Sequence, residues 1–238
     1  MSPRPIYYDT ETTGVKPDRD RITEIAAFDP VRNLSFCKLV NPEVPIPQEC
    51  VQITGITDDM VKDQPNFSVI GKEFFDFCSG DVILIAHNND TFDKHFLIHE
   101  SKRAGLIMPN FTYIDTLKWA RKYRPDLPKH PLQYLREIYG IEANQAHRAL
   151  DDVMVLYKIF SQMIDDLPIQ EVYNLIYNSN TTTDLRQMPF GKYRGEPLES
   201  LPKHYLKWMS ESGAFDKPEN EQLKASLMKL NLLSVSKS

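Results

Sequence analysis

Three apolar runs, at residues 5–8, 22–28 and 34–40, follow one another too closely for a long crossover to fit between any two of them. The strands they form are therefore antiparallel neighbours. Asp29-Pro30 and Arg32-Asn33 supply the turn between the second and third. A proline-rich loop follows (Pro42, Pro45, Pro47), and strand-like runs then alternate with helical patterns. Residues 82–86 read as a central strand and residues 113–114 as the end of another. Helical periodicity covers residues 67–77, 92–104, 117–123 and 132–139. Strands alternating with helices make an α/β layer architecture.

The most regular helix is predicted at residues 148–164. At 100° per residue Ala149, Val153, Leu156, Phe160, Met163 and Ile164 share one face. Asp151 then points directly away from that face and Asp152 lies at its edge. Asp152 is therefore the aspartate placed to turn towards the protein body. The polar stretch 178–187 reads as a linker between a larger domain at 1–177 and a small module at 188–238 with its own glycines, prolines and aromatics.

Acidic residues stand where these elements begin or end: Asp9 and Glu11 in DTETTG, Asp93 in NDTFD, and Asp152, with His147, in HRALDD. Asp9 and Glu11, two apart, emerge on one face of a continuous strand. Each cluster taken singly has an ordinary reading. A DxE pair can be two solvated acids in a turn, and an aspartate in a first helical turn complements the macrodipole. Lone histidines are usually surface or core residues. Brought together, however, such carboxylates repel and raise one another's pKa unless a cation sits among them. A hard divalent ion held by carboxylate oxygens and substrate phosphates is the natural partner, and phosphodiester hydrolysis the chemistry.

Charge agrees with that reading. The chain carries −5 overall, which argues against a general nucleic-acid coat protein. Residues 181–238 hold nine Lys and Arg against seven Asp and Glu, so the first 180 residues net −7. Residues 115–136 are locally basic, with six Lys and Arg against two Asp. An acidic centre beside basic stretches suits metal at the middle and phosphates at the rim. Cys37, Cys50 and Cys78 lack CxxC spacing and read as reduced thiols rather than a disulfide framework or zinc site. With no apolar leader and no run long enough to span a bilayer, a cytoplasmic protein without membrane association is expected.

In this order and local context the three acidic motifs resemble those of the DnaQ-like 3′→5′ exonucleases of the DEDDh class. ITGIT at residues 53–57 resembles the HGIT segment of that family, with Thr54 where histidine is usual, and YIDTL at 113–117 resembles its DTL strand end. The tail, PFGKYRG followed by YLKW, is similar to that of bacterial exonuclease X, a stand-alone member. The resemblance spans roughly residues 5–165. It implies a ribonuclease H-like fold, a mixed five-stranded sheet flanked by helices.

It also implies roles. Asp9, Glu11, Asp93 and Asp152 would hold two Mg2+ or Mn2+ ions about 3.5–4 Å apart. His147 would be the general base, and the product a nucleoside 5′-monophosphate. Thr10, Thr12 and Gly14 would contact the terminal nucleotide, and Asn89 and Phe92, with Thr54, Gly55, Ile56 and Thr57, would line the same pocket. Val15 and Lys16 stand where relatives carry a wedge against duplex ends. In the tail, Lys192, Arg194 and Lys203 would grip backbone phosphates, or else the tail is a packing appendage. DNA, single-stranded or duplex, is the expected partner and RNA the alternative, with no obligate protein partner. A polymerase proofreading subunit and a non-catalytic nucleic-acid-binding adaptor are the competing readings. The intact acidic set and His147 weigh against the adaptor.

Overall fold

A computed structural model describes residues 3–142, 148–178, 185–216 and 220–233. The strands are β1 (Arg4–Thr12), β2 (Ile22–Asp29), β3 (Leu34–Leu39), β4 (Val82–Ala86) and β5 (Thr112–Asp115). The helices of the larger unit are α1 (Gln48–Thr54), α2 (Asp58–Val61), α3 (Phe67–Phe77), α4 (Asp93–Arg103), α5 (Thr116–Tyr123), α6 (Leu132–Ile138), α7 (Ala149–Ile164) and α8 (Ile169–Tyr173). The sheet order is β3-β2-β1-β4-β5, with the first three strands antiparallel and β1, β4 and β5 parallel. This is the mixed five-stranded sheet flanked by helices that the motif resemblance implies.

Residue parity along β1 decides what each face buries. Ile6 and Tyr8 point into a core with Phe67, Ile70 and Phe74 of α3 and with Phe96 and Leu97 of α4. Tyr7 points the other way, to Trp119 of α5 and to Val153, Leu156 and Phe160 of α7. Side chains two apart share a face. Asp9 and Glu11 therefore follow Tyr7 to the α7 side, while Thr10 follows Tyr8 to the α4 side.

Two elements differ from the sequence expectation. β1 does not stop at Asp9. It stays paired with β2 through Asp9↔Ala26 and Glu11↔Glu24, with an irregularity before Thr12↔Ile22. Its pairing with β4 ends at Tyr7↔Ile85, so the acidic pair projects past the carboxyl end of β4, where ligands of parallel sheets bind. The proline-rich loop also ends sooner than read, because Pro47 serves as the N-cap of α1, where its missing N–H costs nothing. Gly55 ends that helix in the left-handed conformation, φ 72°, donating its N–H to Val51 O, a position that favours glycine.

Residues 178–238 cluster as a second compact unit. It contains α9 (Lys203–Glu211) and α10 (Glu221–Lys229) around a core of Met188, Leu198, Leu206, Met209, Leu223 and Leu227. No helix among the described residues is long and apolar enough to cross a membrane.

Candidate metal centre

Three carboxylates converge at the end of β1. One oxygen from each of Asp9, Glu11 and Asp152 lies within 4.8 Å of the others. Asp152 reaches the cluster because it occupies the first turn of α7 and faces inward, at 7% exposure, whereas Asp151 is half-exposed. Asp93 approaches from the opposite face of β1. Its Oδ1 accepts from Thr10 N (3.1 Å) and Thr10 Oγ1 (2.8 Å), so the even-numbered residue between the two acids ties the fourth carboxylate to them.

The electrostatics are those of a site built for a cation. Burial raises the Asp9 carboxyl well above its ordinary range, and Asp93, Glu11, Asp152 and Glu24 add to the shift. Glu11 is pushed up to about 8 by burial and then by Asp152, Glu24 and Asp93, with Arg148 opposing. Asp93 is pushed up to about 7 by burial, against the hydrogen bonds from Thr10. Oxygen-only donors crowded at this spacing match the preference of a hard divalent ion. Such an ion offsets the repulsion that otherwise raises these pKa values.

The cluster lies in a cleft of about 550 Å³ lined also by Thr10, Thr12, Gly14, Val15, Thr54 and Phe92. These expected contact residues are thus brought together, and Val15 stands out at 74% exposure. Others are not. Ile56 is fully buried in a core cluster with Ile46 and Val61. Asn89 is likewise fully buried, accepting from Tyr8 Oη and from Lys94 N at 3.2 Å. Neither side chain is among those lining the cleft. Gly55, Thr57 and Lys16 lie outside the lining, and Lys16 N donates to Asp20 Oδ2 at 2.8 Å. Lys192 and Arg194 are exposed on the second unit. His147 falls within residues 143–147, outside the described residues.

Three side chains missed in the sequence complete the site. Gln133 Nε2 of α6 donates to Asp152 Oδ1 at 2.8 Å and fixes its orientation. His87, just beyond β4, lines the cleft, but its Nδ1 is engaged with Thr116 Oγ1 (2.9 Å) and its Nε2 with the His130 carbonyl (2.8 Å). Burial lowers its pKa, and both ring nitrogens are committed. Glu24, 1% exposed on β2, accepts from Ala149 N (3.0 Å) and Arg148 Nη2 (3.0 Å), anchoring the start of α7 and with it Asp152. A carboxylate there also complements the helix dipole. Glu24→Ala is expected to cost about 2 kcal/mol, the scale of hydrogen bonds to a charged group, and to lower turnover as Asp152 loses its anchor. Urea denaturation reads the first effect. Wild-type stability would place the anchor elsewhere.

A family model described as "Exonuclease" (RNase_T) matches residues 6–160. A second, "Putative quorum-sensing-regulated virulence factor", matches residues 181–234. The chain is 38% identical over 162 residues to DNA polymerase III subunit epsilon of Treponema pallidum, covering 66% of this chain and 74% of that one. It is 34% identical over 166 residues to a PolC-type DNA polymerase III of Caldanaerobacter subterraneus subsp. tengcongensis, covering 68% of this chain but only 12% of that relative. Among solved structures, an Escherichia coli exonuclease I complex with single-stranded DNA superposes with a TM-score of 0.63 at 21% identity, over 74% of this chain and 43% of that one. Exonuclease X in complex with 5′-overhanging duplex DNA gives 0.54 at 24% identity, over 68% and 91%. Both structural likenesses support the fold.

Proposed function

We propose, on the premise that this chain belongs to the exonuclease family whose model spans residues 6–160, that it is a metal-dependent 3′→5′ exodeoxyribonuclease. It releases nucleoside 5′-monophosphates from single-stranded and duplex DNA ends. The observation that carries this reading is the convergence of Asp9, Glu11 and Asp152 within 4.8 Å, with Asp93 joined to them through Thr10. These four carboxylates would hold two Mg2+ or Mn2+ ions. When bound, such ions supply Lewis acidity and lower the pKa of water.

The chain's own residues do the rest. Gln133 and Glu24 orient Asp152, and Thr10 orients Asp93. Val15, Phe92 and Leu132 give the cleft apolar walls against which a terminal nucleotide can rest. His147 takes the proton of the attacking water. His87 cannot, because neither of its ring nitrogens is available.

End-labelled single-stranded DNA, duplex DNA and RNA, each incubated with Mg2+, Mn2+ or EDTA, test the proposal. Progressive shortening of 5′-labelled DNA in metal and none in EDTA is expected. Internal cuts, digestion in EDTA, or activity confined to RNA would overturn it. A second reading, a polymerase-bound proofreading subunit, is favoured by the relative that carries the name of such a subunit. Stoichiometric co-purification with a polymerase would select it.

A further inference from the structure

We propose that the second unit carries an aromatic platform on which the bases of an unpaired nucleic-acid strand stack, with Trp208 as its outer face. Trp208 and Tyr205 are three apart on α9 and so lie on the same side of the helix. Their rings are stacked at 5.7 Å and 26°, and Tyr193 packs edge-on against Tyr205 at 4.7 Å. The adjoining side of α9 buries Leu206 and Met209 in the core, against which Tyr205 and Tyr193 also pack. That core does not need Trp208, which is 58% exposed. A large aromatic left in water on a stacked row is the informative kind of surface apolar residue.

The flanking charge chooses the occupant. Lys192 Nζ lies 5.3 Å from the Tyr193 ring centroid. Lys192, Arg194 and Lys203 are all exposed, and among the described residues none of them has a carboxylate partner. Residues 181–238 carry two net positive charges on a chain of net −5. The turn bearing Tyr193 is closed by Met188 N→Glu196 O and Gly195 N→Met188 O, both 2.8 Å. A side chain at Gly191 would crowd Tyr205 Oη at 3.1 Å. The loop is therefore seated against the platform, with Lys192 beside the Tyr193 ring. Aromatic faces with adjacent cations are what a single strand requires, since every base offers a π-face and every linkage a phosphate. In a duplex those faces are occupied by stacking, so the platform selects unpaired segments. The inference rests on the nuclease reading for the class of ligand and on this surface for the rest.

The chain has two tryptophans, and Trp119 is 3% exposed in the core. Trp119 therefore contributes a background shielded from ligand, and a change in emission on adding a strand is assigned to Trp208 when it disappears in Trp208→Phe. The full chain is titrated with oligo(dT) in excess EDTA, alongside anisotropy of a labelled copy and a blunt duplex control. Expected are fluorescence quenching by the single strand, weaker binding of the duplex, and about tenfold loss of affinity in Trp208→Ala, within the range of one base–aromatic stack. Trp208→Phe should lose the quenching yet bind within about threefold of wild type, which guards against a folding defect in the alanine variant. Unquenched fluorescence, equal duplex binding, or undiminished affinity in Trp208→Ala would overturn the platform. The last would leave the surface to a protein partner. Binding is read without metal, so a chain that binds but never cuts refutes the nuclease reading alone. One that cuts a dinucleotide without quenching refutes the platform alone.

Discussion

Asp9→Asn or Asp152→Asn should lower turnover by about a thousandfold or more, the several kcal/mol that metal charge contributes to such a transition state. The fold should persist. In EDTA the variants should in fact be more stable than wild type, and the sign follows from linkage. Glu11 is held near 8 and Asp93 near 7, above their ordinary carboxylate values, so the folded state binds these protons more tightly than the unfolded chain. Metal-free stability is then full below about pH 4.5 and falls as pH rises towards 8. Removing one of the mutually repelling charges relieves that loss. Added Mg2+ or Mn2+ competes with the protons, so its stabilisation of wild type should grow over the same window. Thermal melts at pH 5, 6, 7 and 8, with metal and with EDTA, read all of this. A variant that melts as wild type does in every condition, or that digests DNA at the wild-type rate, would remove the metal centre from this cleft.

His147→Ala should reduce turnover by about 10²- to 10⁴-fold, the range for a positioned general base. The signature is the pH profile. If neutral imidazole accepts the proton, the wild-type rate falls as pH drops through roughly 6.5, and that limb disappears in the variant. Metal-dependent stabilisation should survive, because His147 is not among the carboxylate donors. Arg148, the next residue, is held by Glu24 across 124 positions of sequence. An acid limb that persists unchanged in His147→Ala would assign the proton to another group.

Much of this was legible from residues alone, for reasons that can be named. Antiparallel order followed from run spacing and turn chemistry, and the choice of Asp152 over Asp151 followed from the helical period. What stayed hidden depended on contacts between distant positions. Glu24 sits in a run otherwise read as a buried strand, and its partners Arg148 and Ala149 lie more than 120 residues away. Gln133 reads as an ordinary polar residue of a short helix until Asp152 is placed beside it. Ile56 and Asn89 were read as pocket residues because their motif neighbours are. Burial sends both inward, Ile56 to complete a small core and Asn89 to satisfy Tyr8. The apolar run that marks β1 stops before Asp9, while pairing with β2 carries the strand on to Thr12.

The alternation along β1 has a consequence for what the gene can tolerate. Asp9, Thr10 and Glu11 work because odd and even positions serve opposite sides of the sheet. A point substitution in this strand removes one function at a time. A single-codon insertion between Tyr7 and Asp9 would exchange the sides. It would turn both acids towards α4, hand Thr10 to α7, and leave Asp93 and Asp152 each facing the wrong partner. The surrounding loops can lengthen at little cost, since closure entropy grows slowly with length. Descendants of this chain are therefore free to vary in the length of their loops but not across these three residues, where the reading frame of the strand is as binding as that of the codons.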